Sequence, residues 1–186
     1  MKKPRLSRLR IIGGAHRSRI VEFDGDSGVR PTPDRVRQTV FDWLAPIIEG
    51  AHCLDLFAGS GAMGLEALSR GASLVTLVES GRTQIELIRA ALVVLKAESR
   101  ALLHAGDALR FLEQTHEHFD LVFLDPPYGS DLLTQALERL PRVLKPGHRI
   151  YLEWPVKARP QFPAKLHFIK EKEAGQVSYG LATFIE

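Results

Sequence analysis

Asp55-Leu56-Phe57-Ala58-Gly59-Ser60-Gly61-Ala62-Met63-Gly64 is the stretch that decides the fold. The apolar run from His52 to Phe57 reads as a strand, and the residues from Ala62 to Arg70 recur at helical spacing. A strand that passes through glycines into a helix brings its backbone close to a ligand and turns helix N–H groups toward it. Gly59, Gly61 and Gly64 satisfy the G-x-G-x-x-G spacing, and Glu79 lies 20 residues beyond Gly59, where an acid can hold ribose hydroxyls. Taken alone, the pattern admits NAD, FAD or S-adenosylmethionine, and equally a purely structural turn.

Working outward, strand-like and helix-like segments alternate. Leu74 to Glu79, Ala101 to Ala105 and Phe119 to Asp125 read as further strands, separated by helices over Thr83 to Leu95 and Ala108 to Thr115. Leu121-Val122-Phe123-Leu124 is apolar without alternation, as in a parallel strand covered on both faces. This predicts an α/β sheet with crossover helices. A helix over Asp131 to Leu140 and a strand over Arg149 to Trp154 follow. Lys165 to Lys172 and Gln176 to Ile185, joined at Ala174-Gly175, predict an antiparallel hairpin at one end of the sheet. Before residue 50, Leu9 to Ile12 and Ile20 to Phe23 around Gly13-Gly14 suggest a small hairpin. Thr32 is the expected N-cap and Pro33 the first position of a helix that carries Val36, Val40, Phe41, Trp43, Leu44 and Ile47. The chain thus divides into a basic extension, 1–50, and a catalytic domain, 51–186.

The 186 residues, 45% hydrophobic and 25% charged, suffice for one folded domain and exclude a disordered chain. One cysteine, Cys53, excludes an internal disulfide scaffold, fits a reducing compartment and reads as a buried small side chain. No run approaches ~18 apolar residues, so a cytoplasmic protein with no membrane partner is expected. The net charge of +3 conceals polarity: residues 1–20 carry +7, the first 40 residues +6 and the remaining 146 −3. A basic end of this kind suits a polyanion, although a solvated tail has the same composition.

Asp55, Glu79 and Asp107 place carboxylates at three successive strand ends, along the edge where open α/β sheets bind ligands. An acidic rim suits a cationic sulfonium with an amino group and an adenosine, and repels a pyrophosphate. Asp107 would also serve as a helix N-cap. Asp125-Pro126-Pro127-Tyr128-Gly129 then ends the fourth central strand. Its prolines withhold two donors and stiffen a turn rich in acceptors. An exocyclic amine can donate to the Asp125 carboxylate and the Pro126 carbonyl while Tyr128 stacks on the base.

Asp125 to Tyr128 resembles the D/N-P-P-Y/F signature of methyltransferases that modify exocyclic nitrogens of nucleic-acid bases, and residues 53–64 resemble their S-adenosylmethionine loop. Nearly the whole chain is similar to bacterial 16S ribosomal RNA guanine-N2 methyltransferases of the RsmD type. The matching pieces are Arg10 to Gly14, Arg30 to Arg37, Asp55 to Gly61, Asp125 to Tyr128 and Gly175 to Tyr179. One departure is Gln38, where the family pattern usually has Glu. The resemblance implies a Rossmann-like, seven-stranded class I methyltransferase sheet, mostly parallel with its last strand antiparallel. It implies S-adenosylmethionine as cofactor, S-adenosylhomocysteine as product, no metal, and 16S RNA or an assembling small ribosomal subunit as the partner of a monomer.

On that reading the catalytic residues are Asp125, Pro126 and Tyr128. The donor is held by Thr32, Asp55, Phe57, Ala58, Gly59, Gly61, Glu79, Asp107, Ala108 and Asp125. RNA is held by Arg10, Arg17, Arg19, Arg30, Arg35, Pro127 and Tyr128. Three competing readings stand beside it. A DNA adenine-N6 or cytosine-N4 methyltransferase would use the same turn, but the chain leaves little room for a target-recognition domain. A nicotinamide-dependent oxidoreductase leaves the Asp125 turn and the basic end without purpose. The third is a non-catalytic RNA-binding protein. His116 and His118 have metal-ligand spacing but read as a solvated helix end, Trp43 and Trp154 read as packing anchors, and Tyr179 is compatible with packing or with an approach to the site.

Overall fold

The computed structural model describes residues 5–26, 28 and 31–185. Nine strands and five α-helices follow one another as β1 (Leu6–Arg10), β2 (Ile20–Asp24), α1 (Asp34–Leu44), β3 (His52–Asp55), α2 (Ala62–Ser69), β4 (Leu74–Glu79), α3 (Arg82–Val94), β5 (Ala101–Ala105), α4 (Ala108–Gln114), β6 (Phe119–Leu124), α5 (Leu132–Arg139), β7 (Leu144–Pro155), β8 (Leu166–Ala174) and β9 (Val177–Phe184) among the described residues. The main sheet runs β5-β4-β3-β6-β7-β9-β8. β3 to β7 are mutually parallel, and β9 is antiparallel to both β7 and β8. The seven-stranded sheet with one reversed strand therefore stands as expected, and the last strand is inserted between β7 and β8.

β3 and β6 lie at the centre because both faces of their apolar side chains are covered. Cys53, Leu121 and Phe123 join one buried cluster, whereas Leu54, Val122 and Leu124 join the other. Alternation along a strand sends successive side chains to opposite faces, so a continuous apolar run requires two such layers. Cys53 is fully buried, and desolvation drives its thiol pKa strongly upward, in keeping with a packing role. Trp154 is buried among Phe162 and Phe168, and Trp43 stacks on buried Tyr179 at 5.6 Å.

The N-terminal hairpin differs from the sequence reading. β1 runs over Leu6–Arg10, and residues 11–19 form a long connection with a short 3-10 turn at Gly14–His16. Gly13-Gly14 is not a tight hairpin turn. Its glycines let the connection lie against the end of α2: a Cβ on Gly14 would stand 1.8 Å from the Ser69 carbonyl oxygen, and its φ is +75°. The Ser69 hydroxyl donates to the Gly13 carbonyl at 2.5 Å and accepts from the His16 N–H at 2.9 Å.

The expected cap of α1 is also corrected. Pro33 is the N-cap residue, with no side-chain cap bond, because the Thr32 hydroxyl donates instead to Glu153 Oε1 across 121 positions. Among the described residues, no helix is long and apolar enough to cross a membrane.

Candidate active site

The carboxyl ends of β3, β4 and β6 converge as the alternation predicts. Gly59 and Gly61 take left-handed φ values of +52° and +77°, and Gly61 is the N-cap of α2. Gly64 packs so closely on β4 that a Cβ would stand 2.7 Å from Leu77 Cδ2. The Asp55 carboxylate accepts from the Gly64 N–H at 2.9 Å, and Glu79 accepts from the Gly59 and Gly81 N–H groups, each at 2.7 Å. Glu79 thereby holds the first glycine of the turn against β4. Ala58 is buried and its N–H is bonded to the Val78 carbonyl, while Phe57 is half-buried against the second core cluster.

Asp107 caps α4, accepting from the Arg110 N–H at 2.8 Å, so the capping role exists. It also lies at the ligand edge: β5 pairs with β4 up to Ala105 opposite Glu79, and the Gly106 N–H donates to the Glu79 carbonyl. Ala108, the first residue of α4, is buried.

Asp125 lies immediately beyond β6, with Pro126 buried and Pro127 exposed beside it. Tyr128 is 52% exposed. Burial is the largest effect on Asp125 and pushes its pKa well above the usual carboxylate range, with Glu153 and then Asp55 adding repulsion. Burial likewise raises Asp55 to about 7, opposed by the Gly64 hydrogen bond and assisted by Glu79. Tyr128 is held neutral by desolvation and by the adjacent Glu153 and Asp125 charges.

Glu153 is the residue that sequence reasoning missed. It is 4% exposed near the end of β7 and accepts from the Tyr151 hydroxyl at 2.5 Å and from Thr32 at 2.9 Å. Burial raises its pKa, while these two bonds oppose the shift. Its only sequence signal was an acid inside the apolar run Ile150-Tyr151-Leu152-Glu153-Trp154. A buried acid without an ion-pair partner among the described residues calls for a function or a ligand. Asp55, Asp125 and Glu153 together suit a cationic ligand, so the residues present fit a sulfonium donor.

Arg37 was also missed. It is fully buried, donating to the Thr32 carbonyl at 3.1 Å, the Arg10 carbonyl at 3.0 Å, Asp34 at 2.6 Å and buried Glu66 at 3.4 Å. Glu66 in turn accepts from the Ile12 and Gly13 N–H groups, both at 2.8 Å, and from Arg70 at 2.9 Å. This network ties the N-terminal connection to α2 and the Thr32 loop. Gln38 donates to Asp42 and accepts from Arg70, so its amide occupies a hydrogen-bonded position. Arg10, Arg17, Arg19 and Arg35 are exposed and form no ion pair among the described residues, and Arg30 lies outside the described residues. His116 and His118 are exposed, and no metal-ligand grouping occurs among the described residues.

Comparison with known proteins agrees with this geometry. A family model described as Conserved hypothetical protein 95 matches residues 9–183. The chain is 43% identical to Ribosomal RNA small subunit methyltransferase D of Escherichia coli strain K12 over 97% of this chain and 94% of that protein. It is also 43% identical to the protein of the same name from Haemophilus influenzae, over 93% of this chain and 92% of that one. The solved structure of yhhF from Escherichia coli superposes with a TM-score of 0.86 at 43% identity, covering 96% of this chain and 98% of that chain. With matches that run through both the basic extension and the acid-lined strand ends, the chain belongs to the small-subunit ribosomal RNA methyltransferase D family.

Proposed function

We propose that this protein transfers a methyl group from S-adenosylmethionine to the exocyclic N2 of a guanine in small-subunit ribosomal RNA. The observation that carries the reading is the Asp125-Pro126 acceptor turn beside a buried acidic corner made by Asp55 and Glu153. When bound, the donor supplies an electrophilic methyl group on a sulfonium whose leaving group is a neutral thioether. Such a leaving group calls for no oxyanion hole and no Lewis acid.

The chain's own residues divide the work. Gly59 and Gly61 open the backbone at the turn, with Phe57 and Ala58 beneath it, while Glu79 faces the ribose and Asp107 with Ala108 faces the base. Thr32 is held at the site by its bond to Glu153. Asp125 and the Pro126 carbonyl accept the two N–H bonds of the guanine amine, which localises the nitrogen lone pair, and the proton that methylation displaces from N2 passes to the Asp125 carboxylate. Holding nitrogen, carbon and sulfur in line at ~3–3.5 Å contributes on the order of 7–11 kcal/mol at best. Tyr128, with Pro127, supports the flipped base by stacking, worth ~1–3 kcal/mol. Arg10, Arg17, Arg19 and Arg35 of the basic extension hold phosphates and set the orientation of the RNA.

Transfer of a labelled methyl group is tested on naked 16S RNA, assembled small subunits and DNA. Labelling of either RNA substrate, with the label recovered as N2-methylguanine, is expected. Labelling of DNA alone overturns the RNA assignment, and calorimetric binding of NAD without S-adenosylhomocysteine overturns methyl transfer altogether.

A further inference from the structure

A second cationic feature lies on β8, apart from the arginines of the first 20 residues. Lys170 and Lys172 on β8 are exposed, and their ammonium groups stand 5.7 and 5.9 Å from the ring centre of Trp43 on α1. A bulge between Phe168 and Lys170 puts them there. Phe168 packs with Trp154 on the opposite face of the sheet. Without the extra residue, Ile169 and Glu171 would turn toward Trp43 instead, because a one-residue slip exchanges the faces of a strand. The bulge therefore sorts the charges of Lys170-Glu171-Lys172. Glu171 goes to the far face and pairs with Arg159 at 2.7 Å, while neither lysine forms an ion pair among the described residues.

Strand register connects this pair to the catalytic turn. Lys172 pairs with Tyr179, which pairs with Glu153, and Lys170 pairs with Leu181, which pairs with Tyr151. Tyr151 pairs with Phe123 on β6, two residues before Asp125. Paired residues share a face, so the lysines occupy the face of Glu153 and lie three strand spacings, about 14 Å, from the line of β6. On α1, Arg35, Thr39 and Trp43 follow at four-residue steps along one side of the helix, from the end nearest Thr32 toward the lysines.

We propose that Lys170 and Lys172, carried on Trp43, form a phosphate-binding track that receives the RNA strand flanking the target base, separate from the basic N-terminal end. The inference rests on the RNA reading given above. Two ammonium groups held over one ring without a carboxylate concentrate positive potential that suits a polyanion, and each phosphate neutralised there steepens the salt dependence of binding.

The test compares the wild-type chain with the Lys170→Gln/Lys172→Gln and Lys170→Arg/Lys172→Arg double variants. Binding of a 16S ribosomal RNA transcript is measured by filter retention between 50 and 200 mM salt. The glutamine variant is expected to bind on the order of tenfold more weakly at the low-salt end. Its slope of log affinity against log salt should be shallower by about 1.4–1.8, the loss of two phosphate contacts. The arginine variant should keep the wild-type slope, and thermal unfolding and S-adenosylhomocysteine binding should be unchanged in both. A glutamine variant with the wild-type slope and affinity shows that the lysines only cover Trp43 and overturns the track alone. A wild-type chain that does not bind the transcript removes the RNA reading and the track together.

Discussion

Asp55, Asp125 and Glu153 are all displaced toward their neutral forms, in each case by burial first. For Asp55 the consequence for stability has a definite sign. Its pKa rises from 3.8 in the free side chain to about 7 in the fold, so between these values the folded state holds the extra proton. Stability should therefore fall as pH rises through this window, by on the order of 4 kcal/mol when complete. Urea unfolding at pH 5 and pH 8 should show the loss in the wild type and a much smaller one in Asp55→Asn, whose amide oxygen still accepts from Gly64. Equal pH dependence in both would show that Asp55 is ionised at pH 5. The same charges should discriminate between ligands: affinity for S-adenosylmethionine should rise more steeply from pH 5 to pH 8 than affinity for the uncharged thioether product, as measured by calorimetry. Asp125→Ala should lower methyl transfer by ~10²–10⁴-fold while S-adenosylhomocysteine affinity stays within a few-fold. Retained transfer would remove the acceptor role.

At the scale of elements, the Arg37–Glu66 pair makes α1, α2 and the connection after β1 a single unit. Both side chains are fully buried, and each has several hydrogen-bond partners, which is the condition under which a buried pair is tolerated. Arg37→Ala would leave Glu66 with Arg70 as its remaining ion-pair partner and strip the Thr32 and Arg10 carbonyls of their donor. A destabilisation of about 2–5 kcal/mol is expected from the unpaired carbonyls, read from the urea midpoint; a change below about 1 kcal/mol would mean that water replaces the lost donor. Most strands and helices were legible beforehand: β4 and β5 match their sequence bounds, and α2, α3 and α4 differ by a residue at their ends, whereas β1 and β7 begin at Leu6 and Leu144, ahead of the expected Leu9 and Arg149. The hairpin connection and the α1 cap were not legible. Gly13-Gly14 has the composition of a turn and Thr32 that of a cap, but each is committed to a distant partner, Ser69 in one case and Glu153 in the other.

Across the whole molecule, the basic extension and the catalytic sheet share one interior. Leu9, Ile11, Val21 and Phe23 lie in the same buried cluster as Val40, Leu65, Leu68 and Phe123. Each such side chain contributes ~1.5–3 kcal/mol on burial, so deletion of residues 1–26 should destabilise the remaining fold by several kcal/mol and weaken S-adenosylhomocysteine binding as well as RNA binding. A truncated chain with an unaltered unfolding midpoint would show instead that the extension is an independent appendage. The alternation of strands and helices, the glycine-rich turn, the acids at the strand ends and the Asp125 to Tyr128 turn were determined by sequence alone, because periodicity and turn chemistry act over a few neighbouring residues. The tertiary structure decided the partners of Glu153, Arg37 and Thr32 and the face on which Lys170 and Lys172 lie. Those outcomes depend on contacts as much as 121 positions apart and on one bulge in β8, and burial at such contacts sets the protonation of the site.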